Sequence, residues 1–172
     1  MAIRKIIYLP DPRLRKCSSK VTHFDDSLKQ LVTDMLETMY AGKGIGLAAP
    51  QIGINLRVTV IDIVNEEKAS DQLILINPII TECKGKTLSE EGCLSVPGVN
   101  ATVERSEWIK LTAFNEHGES FEMEADGLLA ICIQHEIDHL DGKVFIDYLS
   151  PLKKALARKK LEKFKRDEFK DN

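Results

Sequence analysis

Residues 127–140 read Gly-Leu-Leu-Ala-Ile-Cys-Ile-Gln-His-Glu-Ile-Asp-His-Leu, and this stretch decides the fold. Asp126 can cap a helix starting near Gly127, and Gly142 can end it just beyond Leu140. The first half, Leu128 to Ile133, is apolar on every side, which predicts a buried helix rather than an amphipathic one. Two imidazoles then follow four residues apart, at His135 and His139. On a helix that spacing puts them on one face, about 6 Å apart along the axis. They can converge on one metal ion, with Glu136 beside the ion rather than bound to it. The plainer alternative is a pair of core histidines, each hydrogen-bonded. It suits a lone histidine better than two of the chain's four, set in HExxH on an otherwise apolar helix.

A catalytic metal site needs a third protein ligand and one open position. Cys132 lies one turn before His135 but about 10 Å of axial rise from His139, so it cannot share an ion with both. It reads instead as a small lining residue on the His135 face. Cys17 and Cys83 sit among ordinary polar residues and read as plain thiols. Cys93 lies in Glu90-Glu91-Gly92-Cys93-Leu94-Ser95-Val96-Pro97-Gly98, read as a loop that can bring backbone and thiolate close to a site. A nucleophilic cysteine is its rival reading. A third constellation is Gly44-Ile45-Gly46-Leu47-Ala48-Ala49-Pro50-Gln51. It lacks the Lys-Ser/Thr partner of a phosphate cradle, its one chemically equipped side chain is the Gln51 amide, and in isolation it reads as a structural glycine loop.

Working outward, apolar residues at 28, 31, 32, 35, 36 and 39 predict a core-facing helix. Asp25, Asp26 or Ser27 can cap it and Gly42 can end it. Two β-rich runs follow at Arg57–Val64 and Leu73–Thr81. A hairpin is predicted from Trp108–Phe114 and Ser120–Met123 around Asn115-Glu116-His117-Gly118. A last helix begins at Ser150-Pro151. Strands around one buried helix, with helices at the N- and C-terminal ends, make an α+β fold.

The chain's 172 residues suit one domain, with 1–150 as a catalytic unit and 151–172 as a basic tail. That tail carries nine Lys/Arg against four Asp/Glu, a net +5, leaving −8 on the remainder of a chain at −3 overall. A basic tail fits an anionic partner, and an ordinary solvated helix is the plainer reading. The longest apolar run falls far short of the roughly 20 residues that span a bilayer, so no membrane is expected. No secretory signal is read at the N-terminus, and four cysteines do not make a disulfide framework, which leads to a cytoplasmic expectation.

Taken together and in order, GIGLAAPQ at 44–51, EGCLS at 91–95 and QHEIDHLDG at 134–142 resemble the three signature segments of the peptide deformylase family, in its bacterial subgroup with a basic C-terminal helix. The resemblance covers essentially the whole chain, including the spacing between segments. It implies antiparallel sheets around the central metal helix, and an enzyme that removes the formyl group from N-formylmethionine of nascent chains. It implies Cys93, His135 and His139 as ligands of one divalent ion, usually Fe(II), with zinc or nickel able to take its place. Glu136 would act as general base and acid while hydroxide, generated by the metal, attacks the formyl carbon. Gln51 and the backbone N–H of Leu94 would stabilise the carbonyl oxygen. Ile45, Gly46, Leu128, Ile131, Cys132 and the aliphatic part of Glu91 would line a methionine pocket, although Leu and Ile in a buried helix are core in most proteins. Arg105 would pair with Glu91, and Gly44 would support the glycine-rich segment. Asn100 stands where some members carry a basic residue at the cleft entrance. Asp138 is left open between orienting a ligand and pairing with a basic residue. The basic helix would dock on the ribosome near the tunnel exit through Lys153, Lys154, Arg158, Lys159, Lys160, Lys163, Lys165 and Arg166. Two rivals remain: a zinc-type endopeptidase sharing HExxH, and a non-enzymatic RNA- or ribosome-binding protein with a structural metal.

Overall fold

The computed structural model of the chain describes residues 2–63 and 70–170. Helix α1 spans Asp26–Ala41, and the Asp25 side chain accepts from the Leu28 N–H at its start. Leu28, Leu31, Val32, Met35 and Met39 form its buried stripe, and Gly42 closes its end. Strand β1 (Gly46–Ala48) leads through a short 3-10 turn at Ala49–Ile52 to β2 (Val58–Asp62) and β3 (Gln72–Lys84). The hairpin of β4 (Thr87–Cys93) and β5 (Val96–Arg105) comes next, then the hairpin of β6 (Trp108–Phe114) and β7 (Ser120–Asp126). Helix α2 covers Gly127–Leu140, a 3-10 turn follows at Phe145–Tyr148, and α3 runs from Pro151 to Lys170. The expected α+β architecture is therefore observed.

Five strands make an antiparallel sheet in the order β1-β2-β3-β6-β7, and β4-β5 stands apart as a two-stranded sheet. The larger sheet is covered on both faces. Val58, Val60 and Ile76 pack with the α1 stripe, whereas Ile61, Leu75, Ile109 and Leu111 pack with Ala130, Ile133 and Ile137 of α2. Side chains alternate across a strand, so a strand buried on both faces reads as a continuous apolar run. That accounts for β2, where all five residues are buried and Val58, Val60 and Ile61 supply apolar side chains to both faces. Its predicted end, Val64, lies outside the described residues.

A third core group joins Val96, Val99 and Val103 of β5 to Leu9, Leu14, Phe145, Ile146 and, from α3, Ala157 and Leu161. The basic helix is thus docked on β5 by a narrow apolar seam while most of its charged residues face outward. Among the described residues, no helix is long and apolar enough to cross a membrane.

Three local readings need correction. The segment around Cys93 is not a loop: Glu90–Cys93 belongs to β4, Val96–Gly98 to β5, and only Leu94-Ser95 turns between them. The glycine-rich segment is likewise partly strand, because Gly46–Ala48 pairs with Thr59–Ile61. Asp126 occupies the cap position of α2, but its side chain makes no capping hydrogen bond.

Candidate active site

Helix α2 lies against the larger sheet and presents its His135 face toward the β4–β5 hairpin. The Cys93 Sγ at the end of β4 lies 3.3 Å from the His139 Nε2. One ligand atom from each of Cys93, His135 and His139 lies within 4.8 Å of the other two, and among the described residues this is the group suited to a metal ion. The His139 Nδ1 is buried without a hydrogen-bond partner among the described residues, and burial with the neighbouring His135 holds the ring's pKa well below its ordinary value. A neutral imidazole is the ligating form. Burial also opposes charge on His135, but the thiol and carboxylate beside it prevail and raise its pKa well above normal. One thiolate and two imidazoles at this separation fit a single divalent ion.

His135 is oriented from behind. Its Nδ1 lies 2.9 Å from Glu91 Oε1, and Arg105 donates to both oxygens of the same carboxylate at 2.7 and 2.8 Å. Burial pushes the Glu91 carboxyl up, yet Arg105 and His135 outweigh it and hold it at about 2. Arg105 also donates to Asp138 Oδ2 at 2.7 Å, which accepts from the Tyr148 hydroxyl at 2.9 Å. Asp138, left open above, thus pairs with a buried arginine.

Glu136 is buried, and its Oε2 has no hydrogen-bond partner among the described residues. Burial, reinforced by the negative charge of Glu91, raises its pKa to about 7 even though His135 pulls the other way. Gly46 makes room for this carboxylate: a Cβ there would stand 2.8 Å from Glu136 Oε1. Gly44 serves Leu94 in the same way, with Leu94 Cδ1 3.0 Å from such a Cβ. The Gln51 amide is fixed in orientation. Its Oε1 accepts from the Ala48 N–H at 2.9 Å, so its Nε2 faces Ser95 Oγ at 3.1 Å and Cys93 Sγ at 3.5 Å.

A cavity of about 390 Å³ opens onto this cluster. Its wall contains Gly44, Ile45, Gly46, Gln51, Glu91, Cys93, Leu94, Leu128, Ile131, Cys132, His135 and Glu136. His139 and Arg105 stand behind that wall. Leu128 is half exposed at the mouth instead of being fully buried, and Asn100 is also in the wall. Burial pushes the Cys132 thiol up to about 12, so it stays protonated, whereas Cys17 and Cys83 are exposed. The residues not foreseen are Ser95, which holds the Gln51 amide, Tyr148, which holds Asp138, and Ser89, Val96 and Val99 in the wall. Counting back by twos from Cys93 along a strand reaches Glu91 and Ser89, but no apolar alternation in residues 87–93 announces that strand.

The family model for polypeptide deformylase matches residues 3–155. The chain is 55% identical over 163 residues to the peptide deformylase of Pseudoalteromonas translucida, covering 95% of this chain and 96% of that one. It is 53% identical to that of Alkalilimnicola ehrlichii, covering 96% and 93%. The crystal structure of a peptide deformylase from Legionella pneumophila matches at a TM-score of 0.92 with 54% identity, over 96% of this chain and 97% of that one. A peptide deformylase from Ehrlichia chaffeensis, solved in complex with actinonin, matches at 0.90 with 40% identity, over 98% and 99%. The ordered motifs, the Cys-His-His cluster and these likenesses over nearly the whole length agree: the chain belongs to the polypeptide deformylase family.

Proposed function

We propose that the chain is a metal-dependent peptide deformylase whose cavity holds N-formylmethionyl peptides and releases formate from them. The observation that carries this reading is the cluster of Cys93, His135 and His139 set beside the buried carboxylate of Glu136, whose Oε2 has no hydrogen-bond partner among the described residues. Cys93, His135 and His139 would hold the ion. Its bound chemistry is Lewis acidity, which acidifies water and draws charge from a carbonyl oxygen. Fe(II) is the ion we propose, since thiolate and imidazole donors suit it as they suit zinc and nickel.

Glu136, with a pKa near 7, takes a proton from the attacking water and returns it to the leaving amine. The Gln51 Nε2 and the Leu94 N–H donate to the formyl oxygen as charge grows there. Glu91 and Arg105 keep His135 turned toward the ion. Ile45, Gly46, Leu128, Ile131, Cys132 and the Glu91 stem receive the methionine side chain, and Gly44 lets Leu94 pack close. Residues 1–150 carry the chemistry. Residues 151–172 add a basic helix that attaches the cytoplasmic enzyme to the ribosome near the exit tunnel.

Formate release from a formyl-Met tripeptide, measured with anaerobically purified protein of known metal content, tests this reading. Metal-dependent release of formate is the expected result. Cleavage of internal amide bonds without formate would establish the endopeptidase instead.

A further inference from the structure

Among the buried polar side chains described in the cavity wall, Ser89 is the one with no part in the chemistry above. Alternation along β4 places Ser89, Glu91 and Cys93 on one face, and that face turns inward. Ser89 is 9% exposed, while its neighbours Leu88 and Glu90 face solvent. The Glu91 carboxylate is fully engaged by Arg105 and His135. The Ser89 hydroxyl, by contrast, makes no hydrogen bond among the described residues. It shares the cavity wall with Leu128, Ile131 and Cys132, the surfaces assigned above to the methionine side chain. Its oxygen is not among the fully buried unpartnered atoms, so it keeps contact with water in the open cavity; a side chain that fills the cavity displaces that water, which is unfavourable unless the arriving group accepts the hydroxyl's proton.

We infer that Ser89 is a specificity-determining residue whose O–H donates to the thioether sulfur of the substrate's methionine side chain. The inference rests on the reading of this cavity as a formyl-methionine site. Sulfur is the one acceptor that side chain carries, and it is a weak one. Norleucine has the same length and nearly the same shape but a methylene in place of sulfur. It would cover the hydroxyl with carbon and leave it unpaired, so the two substrates separate through this contact. Cys132 also faces the cavity, but its S–H is a weaker donor than the serine hydroxyl.

The test compares kcat/KM for formate release from formyl-Met and formyl-norleucine tripeptides of otherwise identical sequence. Both are run on the same metal-loaded, full-length preparation, so losses of folded protein or metal cancel in the ratio. The wild type should favour methionine by about 3- to 10-fold, the range expected of one modest hydrogen bond. Ser89→Ala should lower that ratio at least about threefold. Ser89→Thr should keep a higher ratio than Ser89→Val, which has the same shape without the hydroxyl. A ratio unchanged by Ser89→Ala overturns the inference. Equal ratios in the Thr and Val variants also overturn it, because pocket shape would then explain the preference. Failure of the underlying reading is distinguishable: the wild type would release formate from neither peptide.

Discussion

The Nδ1 of His135 lies 2.9 Å from Oε1 of Glu91. That contact ties α2 to β4, and Arg105 of β5 locks it by holding both Glu91 oxygens and Asp138 at once. The imidazole cannot rotate without disturbing a buried ionic cluster shared by three elements. Orientation of a metal-ligating histidine through its second nitrogen fixes the tautomer and leaves the other nitrogen for the ion.

Arg105→Met should therefore affect both stability and metal binding. Removing one partner of a buried pair strands the other charge, at a cost of about 3–5 kcal/mol. Loss of the group behind a ligand typically weakens metal affinity by about 10- to 100-fold. Urea unfolding and competition with a chelator measure the two effects. Wild-type metal affinity in a folded Arg105→Met variant would remove Arg105 from the proposed support of His135.

Glu136→Ala separates binding from turnover. The carboxylate is outside the three-residue donor cluster, so the variant should retain its metal in full. Loss of a positioned acid and base should lower kcat by about 100- to 10,000-fold. Metal analysis and formate release on the same sample check both halves. Near-normal turnover would sink the assignment of Glu136.

How far this centre was legible in the sequence depends on what each residue needs as a neighbour. His135 and His139 declare themselves because a helix brings residues four apart onto one face. Cys93 was harder. The inward side chains of β4 are Ser89, Glu91 and Cys93, all polar because they face the site, so the apolar alternation that marks a strand is missing there. With Gly92, Pro97 and Gly98 nearby, the segment read as a loop. The Arg105–Asp138 pair spans 33 positions and joins a strand to a helix, a contact no local pattern encodes. Among the described residues the buried seam of α3 is Ala157 and Leu161, too narrow to distinguish a docked helix from a solvated one.

Gln51 offers a sharper probe of charge stabilisation. Its amide is buried and held by Ala48 and Ser95, so its Nε2 already faces the site without reorganisation. Gln51→Ala should lower kcat by about 100- to 1,000-fold with little change in metal content. Ser95→Ala, which only loosens the amide, should cost less than Gln51→Ala. A larger loss from Ser95→Ala would show that the serine, not the amide, is the donor that matters.

Stability at low pH should depend on Asp34 in α1. Its side chain accepts from Gln30, from Arg4 and from the Ala2 N–H, and these partners lower its pKa from 3.8 to about 2 against the effect of burial. The folded value lies below the unfolded one, so the ionised carboxylate stabilises the protein above about pH 4. That contribution is lost as the pH falls from there through about 2. Asp34→Asn should lower Tm by roughly 3–6 °C near pH 6, with the difference shrinking below pH 4. A difference constant from pH 7 to pH 3 would show that the carboxylate's charge is not what holds the N-terminal segment to α1.

The basic helix needs a test that spares the fold. Truncation after Ser150 would remove Ala157 and Leu161 from the core group that includes Val96 and Val99, and those two valines also line the cavity. Such a truncation should lower stability and disturb the pocket, so its effect on ribosome binding would be ambiguous. Arg158, Lys159 and Lys163 are exposed and lie outside that seam, which makes them the better targets. Changing all three to Glu should leave formate release from a free tripeptide within about twofold, because surface substitutions of this kind cost little stability. If the helix contacts ribosomal phosphates, the same variant should bind ribosomes at least tenfold more weakly. Wild-type affinity should also fall steeply with salt, with a log–log slope of about one per phosphate contact. Equal affinity of the two proteins at low salt would return α3 to the role its buried seam already explains, that of a cover for β5.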